Sequence, residues 1–333
     1  MKAVVMPQPG DAGVLEQRDV PEPSIEGNRD LLIRLKAAGV NPVDTKMRAG
    51  GTYGGGSEPV ILGCDGAGVV EEAGYGCSRF KTGDEVYFFN GGIGTVPGNY
   101  AELAVVDERW VAPKPPALSF AEAAALPLVS ITAWEALFDR ADLQPDERVL
   151  IHAGAGGVGH VACQLARDIG ARVATTVASE AKAELAGALG AELTIPYREA
   201  DFVEAALEWS RGHGVDVAFD TVGPPILEAG FPAVAFYGRS VTLLDPKGIS
   251  LKEARLRNQG VFLELMLSPL LFGLDHAREH QAWILGECAR LVQEDRLRVH
   301  LARTLPLAEA AEAHRLIEEG HTTGKIVLTM DEG

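Results

Sequence analysis

Six residues, Gly154-Ala155-Gly156-Gly157-Val158-Gly159, restrict the fold of this chain more than any others. They follow a strand-like apolar run, Arg148–Ala153, and open a segment, Val158–Ile169, with helical periodicity. In that segment Val158, Val161, Ala162, Leu165, Ala166 and Ile169 fall on one face, and Gly170 is placed to end the helix. A G-x-G-x-x-G sequence alone is a weak signal. Between a buried strand and an amphipathic helix it reads as a dinucleotide-binding turn. Glycine there permits the tight turn, the close approach of a pyrophosphate and close helix–strand packing, while free amides at the helix start face the phosphates. Gly154, Gly156, Gly157, Val158 and Gly159 are the expected contacts.

The surrounding pattern extends this unit. Arg172–Val177, Leu193–Ile195, Val215–Phe219 and Ser240–Leu244 read as further strands, alternating with helical stretches. Such alternation predicts right-handed crossovers and a parallel sheet covered on both faces. The first third is different: Val4–Met6, Leu31–Lys36, Ala67–Glu72 and Glu85–Phe89 are short strands between Gly/Pro/Asp clusters. Ser119 and Glu122 form a capping box before the apolar run Ala123–Leu128, and a second helix is expected over Thr132–Arg140. The tail predicts helices over Trp283–Val292 and Leu307–Glu319 and a strand at Lys325–Thr329. The fold class is therefore α/β. A β-rich domain, residues 1–122 and 263–333, is interrupted by a doubly wound domain, residues 123–262; 333 residues suit two domains of this size.

Charge and composition exclude several functions. The formal net charge is −17, from 30 basic and 47 acidic residues, and a field of that sign repels nucleic acid. No stretch reaches about 18 uninterrupted apolar residues, so no membrane span is expected. The start, Met1–Pro7, is too short an apolar run for a leader. Cys64, Cys77, Cys163 and Cys288 are scattered without a C-x-x-C pair, which points to reduced thiols in a cytoplasm.

The end of the second strand of the doubly wound domain bears on the choice of cofactor. An NAD site usually places an acid there to hold the ribose 2′-hydroxyl. Arg172–Ser179 ends without one, and Ser179 and Lys182 offer a hydroxyl and a cation to a 2′-phosphate. Glu180 nearby opposes that cation, and NADP(H) is expected in preference to NAD(H).

Further motifs accumulate along the chain: Ala37-Ala38-Gly39-Val40-Asn41-Pro42-Val43-Asp44 with Arg48-Ala49-Gly50, Gly63–Val70, Gly83-Asp84-Glu85-Val86, Thr132-Ala133-Trp134 and Gly324–Leu328. In this order and spacing the chain resembles, nearly end to end, the zinc-free quinone oxidoreductase (zeta-crystallin-like) branch of the medium-chain dehydrogenase/reductase superfamily. The resemblance implies that the first domain is a GroES-like β-barrel rejoined by the tail. It also implies a Rossmann domain and a substrate held beside the nicotinamide. It assigns the 2′-phosphate to Ser179, Lys182 and Tyr197, and Lys325 is expected among the cofactor contacts. A homodimer is the matching expectation, with the strand around Gly260–Leu265 at the sheet edge. One departure is Leu244-Asp245-Pro246-Lys247, where this branch usually has glycine.

Zinc-dependent members of the superfamily ligate their metal at positions that correspond to Asn41, Cys64 and Leu128. One thiolate cannot supply the three-ligand open site of catalytic zinc, Asp65 does not restore it, and Asn90–Tyr100 lacks the cysteines of a structural zinc lobe. No metal is expected. Without a Lewis acid, quinones and alkenes conjugated to a carbonyl are the small-molecule acceptors that need least help. Candidate substrate-side residues are Asn41 and Thr132, as hydrogen-bonding groups, Tyr53, as a stacking or hydrogen-bonding ring in the Gly50–Gly56 loop, and Asp44. The alternatives are a non-catalytic, crystallin-like NADPH binder and a zinc-type alcohol dehydrogenase with a residual metal site.

Overall fold

The computed structural model describes residues 1–55 and 59–330; Gly56, the last glycine of the loop that carries Tyr53, lies outside them. The chain divides into two compact units, Met1–Leu128 together with the segment from Leu267 onward, and Val129–Met266.

The first unit begins with β1 (Lys2–Met6), β2 (Glu16–Asp19) and the long β3 (Asp30–Val40), followed by helix α1 (Pro42–Gly50). Next come β4 (Val60–Ile61), β5 (Asp65–Ala73), β6 (Glu85–Phe89), β7 (Leu103–Asp107) and β8 (Val111–Pro113). The short helix α2 (Phe120–Ala124) starts at the Ser119/Glu122 capping box, with both reciprocal bonds made. Strand β3 is the hub of a seven-stranded sheet, pairing antiparallel with β5 and β7. Its first half alternates between core and surface, but Ala37-Ala38-Gly39-Val40 is buried throughout. There both faces are covered, and only small residues fit: a Cβ on Gly39 would lie 2.4 Å from Ala124 O and 2.8 Å from an Asp65 carboxylate oxygen.

Helix α3 (Pro127–Trp134) begins the passage to the second unit. It starts earlier than the helix expected over Thr132–Arg140, because a proline is tolerated in a first helical turn, and it continues as a π-helical segment, Glu135–Arg140. The second unit then alternates strictly: β9 (Arg148–Ile151), α4 (Gly157–Asp168), β10 (Arg172–Val177), α5 (Glu180–Ala188) and β11 (Leu193–Pro196). Its second half comprises α6 (Phe202–Trp209), β12 (Val215–Asp220), α7 (Pro224–Gly230), β13 (Val234–Thr242), α8 (Lys252–Leu256) and the edge strand β14 (Gly260–Leu263). All six strands are parallel, in the order β11-β10-β9-β12-β13-β14, so the winding reverses between β9 and β12. Leu150, Ala174, Ile195, Ala218 and Val234 pack with Phe202 and Trp209 over one face. Strand β13 starts six residues before the Ser240 expected from sequence (Val234 to Ser240). Tyr237, at φ +61, and a register shift opposite Val215 and Val217 break the alternation by which a strand is read.

The tail returns to the first unit through α9 (Ser268–Leu271), α10 (Asp275–Gln293), β15 (Leu301–Pro306), α11 (Ala310–Glu318) and β16 (Lys325–Thr329). Helix α10 begins at Asp275 rather than Trp283, since Asp275–Gln281 is too polar to show a helical apolar period. Strand β16 pairs antiparallel with β3, and Tyr87 Oη donates to Leu285 O at 2.6 Å, which ties α10 to β6. Among the described residues no helix is long and apolar enough to cross a membrane.

The clamp at Gly39 is testable. Gly39→Ala should cost about 1–3 kcal/mol, the range for overpacking a filled site, and be read as a lower denaturation midpoint. An unchanged midpoint would mean that α2 and β5 can recede from β3.

Candidate active site

Four polar side chains converge at one end of β3, where register opposes Gly39 to Asp65 and Val40 to Ile326. Asn41 lies between β3 and α1 in extended backbone, with Pro42 opening the helix. Its backbone N–H donates to Asp44 Oδ2 at 2.8 Å. Its carboxamide is held at both ends: Nδ2 donates to Asp65 Oδ2 at 2.8 Å, and Oδ1 accepts from Lys325 Nζ. Lys325 also donates to Val40 O at 3.0 Å and lies 3.7 Å from Asp65, whose other oxygen accepts from Leu128 N at 2.8 Å. A second row completes the cluster. Cys64 Sγ donates to Asp44 Oδ1 at 3.6 Å, and Tyr100 Oη donates to Asp44 Oδ2 at 3.2 Å while lying 3.2 Å from His314 Nε2.

All these groups are buried, so charge is costly. Burial pushes Asp44 up to about 7, against the opposing hydrogen bond from Asn41 N–H and with the charge of Asp65 adding to the rise. Burial also raises Asp65, opposed first by the Lys325 ammonium, and lowers Lys325, opposed first by Asp65. Two carboxylates face one ammonium, and Asp44 is the group that holds a proton near neutrality. Burial, aided by the Arg48 charge, drives His314 down to about 3, so it stays neutral.

In the second unit the glycine-rich turn leaves β9 at the reversal point of the sheet. Ala153 takes φ +56, and the next residue has no room for a side chain: a Cβ on Gly154 would lie 2.1 Å from Thr175 Oγ1. A Cβ on Gly159 would lie 2.2 Å from Ala153 O, whereas at Gly156 the nearest atom is 3.1 Å away. Gly154 and Gly159 thus close the turn onto the sheet. Gly157, Val158 and Gly159 begin α4 with amides that have no intrahelical partner. This cradle fits a dinucleotide pyrophosphate. Next in the sheet, Ser179 caps α5 by accepting from Lys182 N at 3.4 Å. Tyr197 N donates to Val177 O at 3.2 Å, so Ser179, Lys182 and Tyr197 all issue from the carboxyl ends of β10 and β11.

Residues 27–116 match the alcohol dehydrogenase GroES-like domain, and residues 189–328 match the zinc-binding dehydrogenase domain. A quinone oxidoreductase of Pseudomonas aeruginosa is 34% identical over 96% of this chain and 96% of its own length. The chain belongs to the quinone oxidoreductase branch of the medium-chain dehydrogenase/reductase superfamily. Solved structures agree. An alcohol dehydrogenase superfamily protein from Novosphingobium aromaticivorans has a TM-score of 0.92 at 35% identity, over 99% of this chain and 100% of that one. The Escherichia coli quinone oxidoreductase complexed with NADPH has a TM-score of 0.86 at 30% identity, over 99% of this chain and 100% of that one. The GroES-like first unit and the Rossmann second unit follow the fold of this superfamily.

Within this quinone oxidoreductase family member, the expected residues separate by unit. Asn41, Asp44 and Lys325 are brought together in the first. Lys325, expected among the cofactor contacts, lies in the buried cluster, where its ammonium donates to Val40 O and Asn41 Oδ1 and pairs with Asp65. Asn41 is fully buried, with Nδ2 donating to Asp65 and Oδ1 accepting from Lys325, so it orders the cluster. Tyr53 stands apart from the cluster, 57% exposed. Its turn is tied down by Gly54 N donating to Ile93 O at 3.0 Å, and a Cβ on Gly54 would lie 2.7 Å from the Gly94 carbonyl carbon. Thr132 is buried in α3 of the second unit. Tyr100 and His314 were not legible in sequence: they lie 214 positions apart and carry no motif, and only the fold joins them.

The cluster also bears on the metal that the domain description implies. Of the three corresponding positions, Leu128 has no side-chain donor, Asn41 is bound to Lys325, and only Cys64 offers a thiol, which burial pushes well above its usual range. A thiol held protonated, an amide and an ammonium do not make a zinc site. Among the described residues no three His, Cys, Asp or Glu side chains are arranged to hold a metal ion.

Asp44 makes a pH dependence of unusual sign. Unfolded, it titrates at about 4; folded, at about 7. Between those values the native state keeps a proton that the unfolded chain has released, so this contribution is fully present below the unfolded value and is lost as pH rises through the folded one. Asp44→Asn keeps an acceptor for Asn41 N–H and Tyr100 Oη but cannot titrate. From about pH 5 to about pH 8, wild type should lose stability relative to Asp44→Asn, as measured by paired thermal melts. His152 and His314, driven down by burial to about 4 and about 3, act in the opposite sense but are common to both proteins. A constant difference across the range would mean that Asp44 is ionised throughout.

Proposed function

We propose that the protein is an NADPH-dependent, zinc-independent reductase of quinones or α,β-unsaturated carbonyl compounds, acting in the cytoplasm, where its cysteines stay reduced. The observation that carries the cofactor choice is the end of β10. No acid stands there to hold a ribose 2′-hydroxyl; Ser179 and Lys182 take its place, with Tyr197 beside them. The P. aeruginosa relative's name and the NADPH in the E. coli structure support the same reading. NADPH, when bound, supplies the hydride. The amides at the start of α4 hold the pyrophosphate, and Ser179, Lys182 and Tyr197 hold the 2′-phosphate. Thr132 orients the nicotinamide amide, and the exposed Tyr53 ring stacks on a flat acceptor. Asn41, Asp44 and Lys325 fix the end of β3 and the start of α1 from within. With the cofactor supplying hydride, the balancing proton would come from water, so the chain itself would need no buried acid in contact with substrate.

The same reading includes a homodimer through β14. Among the described residues that strand is the sheet edge, paired with β13, and Leu263 at its end is 58% exposed. Light scattering should give twice the mass of the chain, and a monomer at micromolar concentration would remove the dimer from the reading.

Purified protein should oxidise NADPH with some member of a panel of quinones, enals and enones, and elemental analysis should find no stoichiometric zinc. Lys182→Ala should weaken NADPH by ~1.5–3 kcal/mol, the loss typical of a hydrogen bond to a charged group, and leave NADH unaffected. No turnover with any acceptor would overturn the catalytic reading, and an unchanged NADPH affinity would remove Lys182 from the site.

A further inference from the structure

Resting on the reading of Ser179, Lys182 and Tyr197 as a 2′-phosphate site, we propose that Arg198 is a second cation of that site and a determinant of its preference for 2′-phosphorylated nucleotides. The structure gives Arg198 a defined place. Residues Pro196–Ala200 form a turn in which Glu199 N and Ala200 N donate to Pro196 O at 2.8 and 3.0 Å. The bond from Tyr197 N to Val177 O latches this turn to the end of β10, two residues before Ser179 (Val177 to Ser179). The Arg198 guanidinium lies 6.0 Å from the centroid of the half-exposed Tyr197 ring.

Arg198 is also uncommitted. Among the described residues the side chains of Arg198 and Lys182 make no hydrogen bond or ion pair. By contrast, Arg172, on the same strand as Val177, is bound to Glu192 at 2.8 Å. Asp201, three positions after Arg198, caps α6 by accepting from Val203 N and Glu204 N. In sequence, Lys182 stands beside Glu180 in a chain of net charge −17, and Arg198 adds a second positive charge to the residues of this site. A phosphomonoester carries close to two negative charges near neutrality. A guanidinium meets such a group with a planar fork of donors, and the Tyr197 face restricts the rotamers from which it does so.

The test uses 2′,5′-ADP and 5′-AMP, which differ only in the 2′-phosphate, titrated calorimetrically into wild type, Arg198→Ala, Arg198→Lys and Lys182→Ala. Arg303→Ala, on β15 of the first unit, controls for net charge. Arg198→Ala should weaken 2′,5′-ADP about 10-fold or more, as for loss of a hydrogen bond to a charged group, with 5′-AMP held within about 2-fold. Arg198→Lys should recover part of the loss, because a point charge replaces the fork, and Arg303→Ala should change neither ligand. If wild type prefers 2′,5′-ADP and Lys182→Ala abolishes the preference while Arg198→Ala keeps it, Arg198 is not in the site and the broader reading stands. If wild type does not distinguish the two nucleotides, the 2′-phosphate reading itself is wrong.

Discussion

The first unit depends on one buried ammonium. Lys325 comes from β16, near the end of the chain, yet its bonds reach Val40 and Asn41 at the end of β3, 284 positions earlier in sequence for Asn41. Asp65, 3.7 Å away, passes the same restraint to β5 and, through the Leu128 amide, to the segment after α2. Four stretches of chain therefore meet at one charge. Burying a cation there costs several kcal/mol unless it is paired and hydrogen-bonded, and both conditions are met. Removing the ammonium would leave Asp44 and Asp65 facing each other without solvent. The tail rejoins the first unit because strand pairing with β3 brings with it the counter-charge that the end of β3 needs.

A cofactor site in so acidic a chain must solve the opposite problem. Dinucleotide phosphates are anions, and the net field repels them. Attraction has to be short-ranged, and the second unit supplies it where the sheet reverses: α4 amides on one side, the capped start of α5 on the other. Close approach does the rest. Gly154 and Gly159 cannot carry a Cβ because Thr175 Oγ1 and Ala153 O already occupy that space. The glycines thus serve the packing of turn on sheet first, and the exposed backbone amides follow from that packing. The proposed 2′-phosphate cations extend the same principle by one shell, with charge placed locally rather than spread over the surface.

What could be read from sequence follows from how local each signal is. The turn at Gly154–Gly159, the capping box at Ser119 and strand β16 were legible because strand, turn and helix signatures are adjacent in the chain. Strand β13 was half hidden by Tyr237 in left-handed backbone, and the start of α10 by a polar first two turns. Among candidate residues, Asn41 and Asp44 were found by motif, but their surroundings were not. The pairing of Lys325 with Asp65, two strands away in the same sheet, has no local signature in the sequence. Tyr100 and His314 left no trace at all, since a hydrogen bond between residues that distant has no periodicity to reveal it.

On the proposed zinc-independent reading, the buried cluster fills the place where zinc-dependent members of the superfamily hold their metal. A leucine at one ligand position removes a donor, but that alone would leave the two buried carboxyl groups uncompensated. Lys325 compensates them from within the fold, and its hydrogen bond to Asn41 Oδ1 occupies the oxygen that a metal would otherwise recruit. The cost is chemical. An ammonium fixed to three protein oxygens polarises its own partners and cannot shift onto a developing alkoxide as a metal ion does. On the proposed reading, acceptors are then limited to those whose product anion is stabilised by its own conjugation, which is the property that quinones and α,β-unsaturated carbonyl compounds share.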